Sequence, residues 1–80
     1  MVIDMFSYNI HKEADAKAFE RACTRIEKGV PGIKKDKILE DVDGTLIQVY
    51  HTPDGKIKVV NDYEVDAVYA ESDIDLKDII

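Results

Sequence analysis

"GTLIQVYHTPDGKIKVV", residues 44–60, decides how the rest of the chain is read. Two apolar-rich runs flank "PDGK", and Asp54-Gly55 between alternating apolar residues is a strong local hairpin signal. The spacing predicts a strand over 44–52, a turn at 53–56 and a strand over 56–60. A ribbon this short does not hold alone; it needs further strands or a helix against one face.

Toward the N-terminus, "KILEDV" (37–42) reads as a short strand, with Asp43-Gly44 as a second, weaker turn signal. "NIHKEADAKAFERACTRIEKG" (9–29) reads as a helix. Asn9 or His11 is expected at its start, with Glu13 and Asp15 in the first turn, where the helix dipole favours acids. Gly29 ends it, and Pro31-Gly32 cannot continue it. At 100° per residue, Phe19, Ala22, Cys23, Ile26 and Val30 fall on one side and form the expected core face. Lys17, Arg21, Arg25 and Lys28 form a basic stripe on the opposite side, flanked by glutamates. "VIDMFSY" (2–8) is rich in β-branched and aromatic residues and reads as a first strand.

Toward the C-terminus, "EVDAVYAE" (64–71) reads as a further strand, reached through a turn or bulge near 61–63. Residues 72–80 fit neither the helical nor the strand period and are left open between a short helix and a tail. The order is β-α-β-β-β-β over residues 1–80, a single domain. One amphipathic helix covers one face of such a sheet. The expected fold is therefore two-layer α+β, with the helix on a four- or five-stranded, mainly antiparallel sheet.

The last strand raises a question of charge. Asp62, Glu64 and Asp66 occupy every second position, which on a strand places them on one face. If register runs on unbroken from Ile57 and Val59, then Val65, Ala67 and Tyr69 face the helix. The three acids then face outward with Val60 and Val68. A bulge near residue 62 would reverse that assignment. The acidity is uneven along the chain. Residues 1–40 hold eight Lys/Arg against seven Asp/Glu, whereas residues 41–80 hold three against ten, within a net charge of −6. Such a surface repels nucleic acid and anionic membranes and suits a basic partner.

Other chemistry is weakly signalled. "DVDGTLIQVYHT" (41–52) has Gly fourth and Thr52 twelfth, whereas a calcium-binding EF-hand loop needs Gly sixth and Glu twelfth. His11, His51 and Cys23 lack the close spacings of a structural zinc site. Cys23 lies on the apolar stripe, which makes it a core residue before it is a nucleophile. No cofactor, metal site or catalytic residue is expected, and the chain is not read as an enzyme. A lone cysteine fits a reducing cytoplasm. "MVIDMFSYNI" lacks the basic start of a secretory leader, and no run is apolar for long enough to span a membrane.

The expected function is that of a small acidic protein-interaction or inhibitor-like domain. It would bind a partner with a basic surface through Asp62, Glu64, Asp66 and Val68. Neutralising the three acids is expected to leave stability unchanged or raised and to weaken binding. The alternative is a nucleic-acid-binding module that uses the helix stripe. Inhibitors, immunity proteins and phage-encoded anti-defence proteins share this size and charge, a comparison of class only. Eighty residues bury only roughly 60–65% of their unfolded surface, so a partner or weak homo-oligomer would steady the fold.

Overall fold

In the computed structural model, which describes residues 5–80, the chain runs β1 (Phe6–His11), α1 (Ala16–Gly29), β2 (Lys34–Lys35), β3 (Leu39–Glu40), β4 (Leu46–Thr52), β5 (Gly55–Asp62) and β6 (Ala67–Ser72). The strands form one antiparallel sheet in the order β1-β6-β5-β4-β2, with β3 also pairing β4. This is the α+β arrangement predicted from the hairpin and the amphipathic helix. It has six strands because Lys34–Lys35, to which the sequence reading gives no strand, pairs with β4 as β2, while the strand read at 37–42 forms only over Leu39–Glu40, as β3. The predicted first strand begins at Val2, and positions 2–4 lie outside the described residues.

The hairpin forms at its predicted site, with Thr52 paired to Gly55 across Pro53 and Asp54. Thr52 fastens it. Its hydroxyl donates to the Gly55 carbonyl at 2.9 Å and accepts from the Asp54 N–H at 3.1 Å. Gly55 has φ +151°, and a Cβ there would sit 2.6 Å from Cβ of Asp73. The residue that signals the turn is thus also required by the close approach of the segment after β6.

The helix starts later than the sequence reading has it. Asn9 and His11 belong to β1 instead. Asp15 is the N-cap, extended at φ −153° and ψ 115°, and its carboxylate accepts from the N–H groups of Lys17 at 2.8 Å and Ala18 at 3.2 Å. Two such bonds to the ionised form hold the Asp15 pKa below its ordinary value, the Ala18 bond foremost. Glu13 precedes the helix, so the first turn carries no acid. The alternate apolar residues of β1 run on into the helical spacing, and the cap at Asp15 is the boundary between them.

The predicted apolar stripe is the core face. Phe19, Ala22, Cys23, Ile26 and Val30 are all buried, together with Tyr50, Ile57 and Val59 from the sheet. Large apolar side chains of this kind contribute roughly 1.5–3 kcal/mol each when fully buried. Tyr50 is buried whole, and its hydroxyl donates to Glu27 Oε2 at 2.6 Å, so its polar tip is satisfied inside the layer. Lys35 Nζ lies 3.4 Å from the same oxygen.

One helix does not cover the whole inner face. The segment after β6 completes the layer without forming a helix. Leu76 within it is fully buried. Tyr8 holds this segment on both sides: its hydroxyl donates to Asp75 Oδ1 at 2.8 Å and accepts the Leu76 N–H at 2.7 Å. Ile79 packs against the helix end, where a Cβ on Gly29 would lie 2.9 Å from Cγ2 of Ile79.

Candidate functional site at the acidic end of the sheet

The segment that carries Asp62, Glu64 and Asp66 is not a continuous strand. β5 ends at Asp62, Tyr63–Asp66 make a four-residue turn, and β6 begins at Ala67. Asp62 pairs with Ala67, so partners across β5 and β6 have opposite parity. Odd residues of β5 therefore share the helix side with even residues of β6. Val59 sits opposite Ala70 and Asn61 opposite Val68, all four buried. This reverses the predicted facing of the last strand. Val68 is 0% exposed and belongs to the core, so it cannot be a partner-binding residue. Ala67 and Tyr69 face away from the helix.

The acids also leave the strand face. Asp62 Oδ1 accepts from the N–H groups of Glu64 at 2.9 Å and Val65 at 3.3 Å, and its Oδ2 accepts from the Tyr69 hydroxyl at 3.3 Å. Asp66 sits at φ 56°, a left-handed conformation that aspartate tolerates better than most residues. Its Oδ1 accepts the Ala14 N–H at 2.9 Å and ties the loop before the helix to this turn. Glu64 is exposed and its carboxylate has no hydrogen-bond partner among the described residues. Two of the three acids thus build the turn that a strand reading overlooked. The signal was available: an aspartate two residues before the N–H it accepts is the Asx-turn pattern.

The outer sheet face is consequently not acidic. Lys56 and Lys58 of β5 stand there with Glu71 of β6, and Lys58 pairs with Glu71 at 3.2 Å. A cross-strand row of Leu39, Ile47, Val60 and Tyr69 crosses the same face. Val60 is only 2% exposed although no helix lies over it, because Ile47 and Tyr69 flank it.

Six carboxylates stand at one end of the sheet, where the β3–β4 turn, the β5–β6 turn and the loop before the helix come together: Asp41, Asp43, Asp62, Glu64, Asp66 and Glu13, with Lys12 in the same loop. The other acids of the C-terminal half, among them Asp54 and Asp73, lie toward the opposite end, at the β4–β5 turn and after β6. The turns are tied to each other and within themselves. Asp43 Oδ1 accepts the Thr45 N–H at 3.0 Å, and that bond holds the Asp43 pKa below its ordinary value. Asp41 and Thr45 bond through their backbones at 2.9 Å. Thr45 Oγ1 accepts the Tyr63 N–H at 3.1 Å, linking the two turns. On these fixed turns stand three solvent-facing apolar side chains, Val42 at 104% exposure, Val65 at 63% and Tyr63 at 48%. The Tyr63 ring lies against Gly44.

The basic stripe of the helix is on the surface as predicted. Lys17, Arg21, Arg25 and Lys28 are exposed, and none forms an ion pair among the described residues. Glu13 lies outside the helix and forms no ion pair with Lys17. His11 bonds the Glu13 backbone, with Nδ1 at 2.9 Å from its carbonyl oxygen. His51 Nε2 lies 3.2 Å from Asp36 Oδ2. Burial pushes the Cys23 thiol pKa up, as expected of a core cysteine. Among the described residues no group of three or more His, Cys, Asp or Glu is arranged to hold a metal, and no helix is long and apolar enough to cross a membrane. No protein-family profile, curated protein or solved structure matches the chain.

The turn geometry changes the expected outcome of removing the acids. Asp62→Ala strips acceptors from two turn N–H groups, and Asp66→Ala both frees the Ala14 N–H and places alanine at a positive φ. Each is expected to lower stability by about 1–2 kcal/mol, whereas Glu64→Gln should stay within about 0.5 kcal/mol of the parent. Urea melts of the three variants separate these roles, and equal effects at all three positions would contradict them.

Proposed function

We propose that this chain is a small acidic protein-interaction domain, without catalysis of its own, that docks a partner through the acidic end of its sheet. The partner would present a basic surface. The observation that carries the reading is the presence of Val42, Tyr63 and Val65, exposed on two linked turns and surrounded by carboxylates. Isolated surface hydrophobes need no explanation, but three on two turns joined by a hydrogen bond offer apolar surface that one partner could cover. The side-chain and backbone bonds that hold the turns reduce the entropy lost when a partner settles on them. Tyr63 has the character of an interface anchor, being rigid, apolar and polar at its tip.

The carboxylates have a separate task in this reading. Glu64, with no competing partner among the described residues, and Asp41 and Asp43 beside Val42 would steer a cationic surface onto the apolar tips. Such charges act mainly on the association rate and make it sensitive to salt. An inhibitor that offers carboxylates to a cationic site would work in this way, and a reducing cytoplasm suits the single buried cysteine. The competing reading is nucleic-acid binding by the helix, favoured by its four cations, which form no ion pair among the described residues.

One comparison separates the readings. Val42→Ser, Tyr63→Ser and Val65→Ser together should weaken capture of a lysate partner at least about tenfold, the loss of roughly 1.4 kcal/mol. Arg21→Glu with Arg25→Glu should leave it unchanged. The reverse pattern, with retention on heparin lost in the arginine variant, would overturn the proposal.

A further inference from the structure

The basic stripe starts beside the acidic end, where the Ala14 N–H bonds Asp66, and runs away from it along the exposed side of the helix; the dimensions of the two surfaces match. The stripe from Lys17 to Lys28 spans eleven helical steps, about 16 Å at 1.5 Å per residue. The acidic end extends from β3 across β4, β5 and β6 to β1, four strand spacings or about 19 Å. The stripe is exposed and unpaired among the described residues, and the acidic turns carry an exposed tyrosine that can lie on an arginine face.

From this complementarity we infer that the helix stripe is a docking site for the acidic end of a second copy of the same chain. The inference rests on the docking surface proposed above and names one partner for it. The contact is head-to-tail, because the surface used on one copy differs from that used on the next. It therefore leaves both a free stripe and a free acidic end on every pair and propagates unless a ring closes. The aliphatic stems of Lys17, Arg21 and Arg25 offer apolar cover for Tyr63 and Val65 beneath their charges. The attraction is largely between exposed groups, so the association is weak and salt-sensitive.

Two variants, each defective in one surface, test this directly. Arg21→Glu with Arg25→Glu removes the socket and keeps the acidic end. Tyr63→Ser with Val65→Ser and Glu64→Lys removes the acidic docking face and keeps the socket. Light scattering at high micromolar concentration and low salt should show the parent growing beyond a dimer as concentration rises. It should return to monomer in about 1 M salt, where the Debye length is about 3 Å. Each variant alone should stay monomeric, and an equimolar mixture should form a heterodimer and stop there. That rescue also shows that both variants fold. A parent that stays monomeric would overturn the inference, as would a mixture that fails to pair while the parent associates. A helix stripe used for nucleic acid would show itself as a monomeric parent that binds heparin through Arg21 and Arg25. If the parent is monomeric but the tip variant still loses its captured partner, self-docking fails and the protein-binding function stands.

Discussion

Leu76→Ala is expected to lower stability by about 2–5 kcal/mol, a large share of what an 80-residue domain possesses. Leu76 is fully buried although it lies in a segment with no regular secondary structure. Its loss leaves a cavity in the inner layer where the helix gives no cover. The same segment is held by Tyr8 and lies against Gly29 through Ile79. A loosened segment therefore exposes Ile74, Ile79 and Ile80 as well, all of which pack on the core cluster. Equilibrium denaturation by urea measures the effect. A loss under about 1 kcal/mol, the range of ordinary surface changes, would show that residues 73–80 are a dispensable tail.

Phe19→Ala is expected to cost about 3–5 kcal/mol, the range for a buried phenylalanine whose site cannot collapse. Phe19 is 3% exposed and belongs to the cluster that joins the helix to β5. The helix rests on few other anchors: Ala18 and Ala22 bring the backbones close, and Ile26 fills the next turn. Truncation at Phe19 should reduce helical circular dichroism along with the denaturation midpoint, because most helical stability in such domains comes from packing. Unchanged far-ultraviolet dichroism with a loss below about 1 kcal/mol would show that the helix face is misassigned.

These two positions mark what the sequence discloses. Phe19 was legible because five apolar residues at helical spacing leave only one core face. Ile57 and Val59 were legible because the Asp54-Gly55 turn fixes the hairpin that carries them. Leu76 was not, because its burial depends on a tyrosine hydroxyl 68 residues earlier in the chain and on no local period. Asp15 was hidden for a different reason. The alternating residues of β1 run into the helical pattern without a break, and the cap is recognised only from its bonds to Lys17 and Ala18.

The candidate site shows how a local misreading propagates. "DYEVDAV", 62–68, alternates acidic and other residues and so matches a strand with an acidic face. In the fold, Asp62 spends its carboxylate on the turn that follows it, and the turn reverses the parity of everything after it. Val68 moves from the outer face to the core, and Tyr69 from the core side to the outer face. The overall acidity of residues 41–80 was correct, but its location was not. Val42, Tyr63 and Val65 are not legible in the sequence, because a single exposed apolar residue carries no signal there. The two turns that carry them are joined only in the fold, by the Tyr63 N–H bond to Thr45.

The acidic end, and not the helix, is the surface proposed to meet a basic protein partner. That assignment is tested most directly by mapping amide chemical-shift changes as a captured partner is titrated into the isotope-labelled chain. The expected result is that changes concentrate at residues 41–45 and 62–66 and diminish when salt is raised. Changes confined to 17–28, with 41–45 and 62–66 unmoved, would contradict the claim.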